Sequence, residues 1–509
     1  MPTFAAIDIG SNSCRLKIAR VVQHGLKVLH EDREVTRLGA SVFEAGLISP
    51  AAMSDTLQAL KRFYRSVQSL GVDKVRAVST SAMRDARNAR AFLAWIQDET
   101  GWNVEVISGL EEGRLIHHGV VSNEPGTAGR CLLMDLGGGS VELSLSVSRR
   151  IKDTISLPLG AVRLTQEFLR SDPPSAEDVA RLKQFIAREL RRAHRKLGDL
   201  RVPLVIATSG TAAALSDASR ALRKATETEA AKLTPARDVR RLANKLTKLS
   251  NVERAAIAGI GPRRSEIIIA GANVYAEVLE SFGLPGFRYS PLGLRDGILA
   301  QMLAEQDKST SAHQKFARER WEGVLETSRR YGVDPRQAEP VRQHAVQLFR
   351  DLERVHELPA EYQDWLEAAA MLRDIGKFMN YQGHHRHAQY IIANSELFGF
   401  TPQQRAITSA VARYLGKSRP EPEGRTMRQV PPAEHERVRR AVVLLRLAVA
   451  LNQDRASDVL KMKVRAYPKR VLLELNPGRT GAELELWSLR KEAAYFREVF
   501  RRDLLVTLA

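Results

Sequence analysis

Between Val141 and Val147 apolar and polar residues alternate without a break, with Val141, Leu143, Leu145 and Val147 set against Glu142, Ser144 and Ser146. A period of two predicts a β-strand. The apolar run "CLLMDL" (131–136) just before it predicts a second strand, and Gly137, Gly138, Gly139 and Ser140 separate the two. Three consecutive glycines sacrifice backbone order, so the turn is expected to take positive φ angles and to meet something too close to admit a Cβ. The same pattern stands near the start of the chain. Ile7-Asp8-Ile9-Gly10-Ser11-Asn12-Ser13 matches Met134-Asp135-Leu136-Gly137-Gly138-Gly139-Ser140, and each copy runs on as an alternating strand, with Arg15 and Lys17 where the second copy has Glu142 and Ser144. The separation is a domain length, far beyond a solenoid period. Two homologous α/β lobes are predicted, each opening with a strand, a tight turn and a second strand.

A third small-residue turn lies in "LVIATSGTAAAL", where Ser209, Gly210 and Thr211 join a strand to an Ala-rich helix start. The dipole of that helix favours an anion at its N-terminus. Turns of Gly and Ser aim successive N–H groups and hydroxyls at one point, a concavity suited to phosphate oxygens. An Asp ending the preceding strand would repel that phosphate unless a divalent cation lay between them, which makes Asp8 and Asp135 candidate magnesium partners, direct or through water. Plain Gly-rich hairpin turns are the alternative, and two copies in register argue against it. The Gly-Lys-Ser/Thr ending of a Walker loop is missing. In "VSTSAMRDARNA" Arg84 follows a strand end and a run of hydroxyls, placed to clamp phosphate through both arms of its guanidinium. Glu111 and Glu112 open a helix after Ser108 and Gly109, a position acidic residues also take for dipole reasons.

Composition narrows the class. A chain of 509 residues with 44% hydrophobic content supports about three globular domains. It has no apolar run of membrane-spanning length, and its N-terminus enters a strand without a basic leader, so a cytoplasmic protein with no membrane partner is expected. Its two cysteines, Cys14 and Cys131, sit in apolar strands and are expected in the core, with neither a disulfide framework nor a zinc motif. The formal net charge is +19, an excess of +2 over residues 1–150, +8 over 151–308 and +9 over 309–509. Such an imbalance fits a polyanionic partner, whether nucleic acid, an acidic membrane or a phosphate polymer, and fits equally a solvated basic surface. Arg188, Arg191, Arg192, Arg195 and Lys196 fall on one helical face and are expected to line the path of an extended anion.

Punctuation sets the boundaries. "SNEPGTAGR" and "AEQDKSTSAHQ" predict lobes over 1–125 and 126–306, a mostly helical domain over 312–460 and a small C-terminal α/β piece over 461–509. Within the last, "VLLELNPGRTGAELELWSL" predicts a hairpin around Asn476 to Gly481.

The motifs "AIDIGSNS", "STSAMRDARNA", "SGLEEGRLI", "MDLGGGSVEL", "ATSGT" and "SPLGLRDGIL", in this order and spacing, resemble the exopolyphosphatase and guanosine pentaphosphate phosphohydrolase family. That resemblance implies two actin/hexokinase-like (ribonuclease H-like) lobes and a hydrolase of phosphoanhydride bonds. It implies Glu112 as the base that activates water, Glu142 as the second acid, and Arg84 as the group neutralising the transferred phosphoryl. Asp135, with Asp8, would attend Mg2+ or Mn2+. Ser11, Asn12 and Ser13 would hold one phosphate, Gly137, Gly138, Gly139 and Ser140 another, with Ser209, Gly210 and Thr211 beside them. The implied substrates are inorganic polyphosphate or guanosine pentaphosphate, in a homodimer with no specific nucleic-acid partner.

"LRDIGKFMNYQGHHRHAQYIIANSELFGF" resembles the HD-type helical domain of the long family members. Where such domains hold metal through His, a His-Asp pair and a later Asp, this chain has His344, Arg373-Asp374 and Asp454. Arginine cannot ligate a metal, so a metal-free half is expected. His384, His385 and His387 are expected to bind an anion or cap a helix. A kinase or ATP-driven switch of the same fold is argued against by a water-activating Glu112, and an idle polyanion- or nucleotide-binding regulator by the intact glutamates and glycine turns.

Overall fold

A computed structural model of the chain describes every residue except 24, 224–231, 307–310, 417, 454–458, 478–480 and 509. It divides into two compact units, Met1–His313 and Gln314–Ala509. Among the described residues no helix is long and apolar enough to cross a membrane.

The first unit contains two sheets. One is built from β1 (Thr3–Ile9), β2 (Cys14–Val22), β3 (Gly25–Glu34), β4 (Lys74–Ser79) and β5 (Val104–Val106), in the order β3-β2-β1-β4-β5. The other holds β6 (Arg130–Leu136), β7 (Val141–Val147), β8 (Arg150–Leu157), β9 (Leu204–Thr208), β10 (Leu233–Pro235) and β11 (Gly286–Tyr289), in the order β8-β7-β6-β9-β11-β10. Read from its own first strand, each sheet has the order third, second, first, fourth, fifth, and β10 is an added edge. The first three strands of each are antiparallel neighbours, and the fourth joins the first in parallel. This is the ribonuclease H-like sheet of actin- and hexokinase-like proteins, present twice. Cys14 and Cys131 are fully buried in β2 and β6, as expected of core residues.

Packing moves one boundary. The helix Leu294–Gln306 was expected at the end of the second lobe. Instead Ile298, Leu299 and Met302 bury against Phe4, Ala6 and Val78 of the first lobe. Lys17 in β2 pairs with Asp296 at 2.7 Å, and Arg295 donates to the Leu16 carbonyl at 2.8 Å. The last helix completes the first lobe because the face of β1 that bears Phe4 and Ala6 is apolar and buries with it and with Leu115.

The second unit is helical around one core, with β12 (Lys461–Ala466), β13 (Arg470–Asn476) and β14 (Asp503–Leu508) forming a three-stranded sheet. Val471, Leu473 and Val506 of that sheet bury in the same cluster as Leu366, Ile407 and Leu444 of the helices, so the C-terminal piece shares the unit's core. The hairpin expected at Asn476–Gly481 is not formed. β13 pairs antiparallel with β12 and parallel with β14, and "ELELW" begins the helix Glu483–Phe500. The alternation misled because Glu485 is itself buried, accepting from the Gln453 amide at 2.9 Å, while Leu489 and Phe496 continue at helical spacing.

Candidate active site at the paired glycine turns

Each lobe folds its first turn onto the start of a helix. In the second lobe the Gly137 carbonyl accepts from Ala161 N–H, and the Gly138 carbonyl from Val162 and Arg163 N–H, which satisfies the orphan donors of the helix Ala161–Phe168. In the first lobe the Ser11 and Asn12 carbonyls accept from Gly39 and Arg37 at the start of the helix Leu38–Ala45. With carbonyls committed on one side, the amides of Gly138, Gly139 and Ser140 have no backbone acceptor among the described residues and are free for an anion. Asn12 Nδ2 and Thr211 Oγ1 are also buried without partners.

Of the two reasons expected for the glycines, close approach holds at Gly138 and Gly139 and positive φ does not. None of the three has positive φ. A Cβ on Gly138 would lie 2.9 Å from Ser11 Cβ and 3.2 Å from the Asn12 amide. One on Gly139 would meet Ser81 Oγ and Phe43, the nearer at 2.2 Å. What comes close to the glycine turn is the opposite lobe. Gly210 makes room in the same way, since its Cβ would fall on the Arg264 guanidinium.

The duplicated frame carries opposite charges. Across the first sheet Asp8, Arg15 and Arg33 stand in register on β1, β2 and β3. Across the second the corresponding row is Asp135, Glu142 and Ser156. Glu112, Asp135 and Glu142 bring carboxylate oxygens within 4.8 Å of one another. Ser108 caps the helix Gly109–Val121 and points Glu112 inward, whereas Glu111 is held by Arg114 at 2.7 Å. Arg84 Nη1 lies 3.5 Å from Glu112 Oε2 and donates to the Ile107 carbonyl at 2.6 Å. Ser156 donates to Glu142 Oε1 at 2.7 Å, leaving Oε2 buried and unpartnered, and Thr208 donates to Asp135.

Burial, and then the Glu142 charge, push the Glu112 carboxyl well above its ordinary range, with Arg84 opposing. Burial and Asp135 raise Glu142, and burial raises Asp135 and Asp8. An all-oxygen cluster with a bare buried oxygen and upward-shifted carboxyls fits a hard divalent cation. Asp8 is outside the three-carboxylate group. Its cross-strand partner is Arg15, and Arg15 and Arg295 offset its charge.

A set of arginines completes the cleft. Arg15 and Arg33 are direct cross-strand neighbours, a like-charge pairing that costs stability unless an anion lies between. Arg264 Nη2 is buried without a partner, and burial plus the charges of Arg33 and Arg15 push the guanidinium down to about 9. The sequence signal for it was faint: "GPRR", two arginines in an otherwise apolar stretch. The helical stripe is exposed, but Arg192 pairs with Glu189 at 2.8 Å, Lys196 with Asp153 at 3.4 Å, and Arg188 lies over Phe185; Arg191 and Arg195 have no partner among the described residues.

In the helical unit, no three metal-type side chains converge among the described residues. His344 is fully buried with both ring nitrogens unpartnered. Arg373 donates to the Ala370 and Gln337 carbonyls, and Asp374 is held by Lys377 at 2.9 Å. The His384 and His385 rings lie tilted at 51° with their centroids 3.8 Å apart. Asp454 lies outside the described residues.

Two ribonuclease H-like lobes whose glycine and serine turns meet face to face define the actin- and hexokinase-like fold. Residues 17–306 match the Ppx/GppA phosphatase family and residues 319–493 match domain III of Ppx/GppA phosphatases. The chain belongs to this family. It is 30% identical over 415 residues to the guanosine-5'-triphosphate,3'-diphosphate pyrophosphatase of Aeromonas hydrophila, covering 81% of this chain and 80% of that one. Among solved structures it is similar to an exopolyphosphatase from Cytophaga hutchinsonii (27% identity, TM-score 0.56, 60% of this chain and 98% of that one). It is likewise similar to the Ppx/GppA family member of Aquifex aeolicus (30% identity, TM-score 0.50, 60% and 99%).

Proposed function

We propose that the chain hydrolyses the terminal phosphoanhydride bond of inorganic polyphosphate. One observation carries this reading: a cluster of three carboxylates, Glu112 and Glu142 buried and Asp135 half-buried, faces a row of arginines in which Arg33 and Arg264 have no carboxylate partner among the described residues. The amides of Gly138, Gly139 and Ser140 would bind one phosphate, and the Ser11–Ser13 turn its neighbour, with Ser209 to Thr211 alongside. Arg84 would sit against the transferred phosphoryl, and Glu112 would take a proton from water as its oxygen bonds to phosphorus. The bridging oxygen leaves with the shortened chain, and orthophosphate is released. Asp135 and Glu142 would hold Mg2+ or Mn2+, which when bound supplies charge neutralisation for the phosphate oxygens. Arg15, Arg33 and Arg264 would hold the chain behind the scissile bond. The cytoplasmic homodimer expected from the family resemblance belongs to the same proposal.

A second reading, guanosine pentaphosphate 5'-phosphohydrolysis, is favoured by a cavity of about 660 Å³ beside the arginine row, lined by Arg33, Thr36, Arg37, Ser41, Asp55 and Arg263. That size suits a small organic ligand, and its mixed acidic and basic lining suits a nucleoside. Phosphate release from long-chain polyphosphate and from guanosine pentaphosphate, measured side by side with and without Mg2+, tests both. Faster release from the nucleotide would replace the first reading by the second, and no metal-dependent release from either would end both.

A further inference from the structure

We propose that Arg163 is a positioning residue that ties the glycine turn of one lobe to the Arg84-bearing helix of the other; the inference rests on the phosphohydrolase reading above. Arg163 Nε donates to the Gly139 carbonyl at 2.9 Å. Its Nη2 pairs with the Asp85 carboxylate, and the guanidinium lies 4.1 Å from the centre of the Phe43 ring. Its side chain is only 17% exposed.

Each grip acts on a group that would meet phosphate. In a trans peptide the carbonyl and the following N–H point in opposite directions. Holding the Gly139 carbonyl outward therefore aims the Ser140 amide into the cleft. Asp85 is the neighbour of Arg84 in the five-residue helix Ser81–Asp85, too short to hold its own orientation by helical cooperativity. By fixing Asp85, Arg163 fixes the turn from which Arg84 reaches Glu112. A lysine cannot reproduce this, because the fork is planar and both arms are in use.

The experiment is a double-mutant cycle in the full chain. Asp85→Asn keeps shape and lies at a 43% exposed side chain, so it tests the tie without endangering the fold. Misplacing a phosphate-neutralising group by about an ångström costs up to roughly 100-fold. The expected result is a fall in kcat of roughly 10- to 100-fold for Asp85→Asn and for Arg163→Ala, with Arg163→Lys recovering little and KM changing less than kcat. In an Arg84→Ala background the Asp85→Asn effect should shrink towards unity, since it acts through Arg84. Wild-type kcat in Asp85→Asn, or a loss undiminished in the Arg84→Ala background, overturns the proposal. A wild type inactive on both substrates would sink the phosphohydrolase reading by itself.

Discussion

Alanine at each of the three glycines in turn separates a turn shaped by the opposite lobe from one shaped by phosphate oxygens. The Cβ of Gly137→Ala would find nothing nearer than the Ser140 carbonyl at 3.6 Å, an ordinary contact. Gly138→Ala would press on Ser11 Cβ at 2.9 Å and on Asn12 N and Val162 at 3.2 Å. Gly139→Ala would overlap Ser81 Oγ at 2.2 Å and Phe43 at 2.5 Å. Overpacking of this kind costs about 1–3 kcal/mol. Ser11, Asn12, Ser81 and Phe43 belong to the first lobe, so the cost falls on closing the cleft rather than on folding the second lobe. A penalty of about 1–3 kcal/mol shifts a closed-to-open ratio by roughly 5- to 150-fold. The expected order of kcat/KM for phosphate release is therefore wild type, Gly137→Ala, Gly138→Ala, Gly139→Ala, with about fivefold lost at 138 and roughly 100-fold at 139. Thermal unfolding should change little, because no positive φ is violated. Equal, severe losses at all three positions with unchanged unfolding would show that phosphate fills the turn and refute the argument from lobe contact.

Four other outcomes are expected. Glu112→Gln should lower turnover by roughly 10²–10⁴-fold. In the metal-free protein it should also raise the unfolding temperature at neutral pH, since a carboxyl raised by burial weakens the fold as pH climbs through its folded pKa; a Glu112→Gln enzyme with normal turnover, or loss in Glu111→Gln instead, would reassign the base. Arg264→Gln should raise KM for polyphosphate at least tenfold, an effect that shrinks with salt, and an unchanged KM would remove Arg264 from the substrate path. His344, held by burial down at about 4 against an ordinary 6.5, should make the fold lose about 3 kcal/mol as pH falls from 6.5 to 4, because the unfolded chain takes the proton first; His344→Leu should flatten that slope in chemical denaturation, and an unchanged slope would place the acid sensitivity elsewhere. Replacing Arg191, Arg192 and Arg195 with Gln should raise KM for long polyphosphate more than for short chains, whereas equal effects would make the stripe a solvated face.

Much of the site was legible along the chain because its elements are local. A period of two, an Asp at a strand end and a Gly/Ser turn recur in both lobes, and the repetition by itself pointed to the duplicated α/β frame and singled out Asp8, Asp135 and the two turns, while Glu142 was marked by the family resemblance. Helical phase turns adjacent residues apart, and along the chain only the family resemblance chose Glu112 over Glu111; the fold brings Glu112 to Asp135 and Glu142 and pairs Glu111 with Arg114. The repeat already set Arg15 in one lobe in the place of Glu142 in the other, but only tertiary structure put Arg33 beside Arg15, since cross-strand register is a pairing between distant residues. Arg264, 249 residues beyond Arg15 in the chain, enters the cleft because Gly210 leaves it room. The same holds for the helix Leu294–Gln306, whose apolar face says that it must be covered but not by which lobe. Local pattern fixes what each element is, and burial of faces far apart in sequence fixes what each one meets.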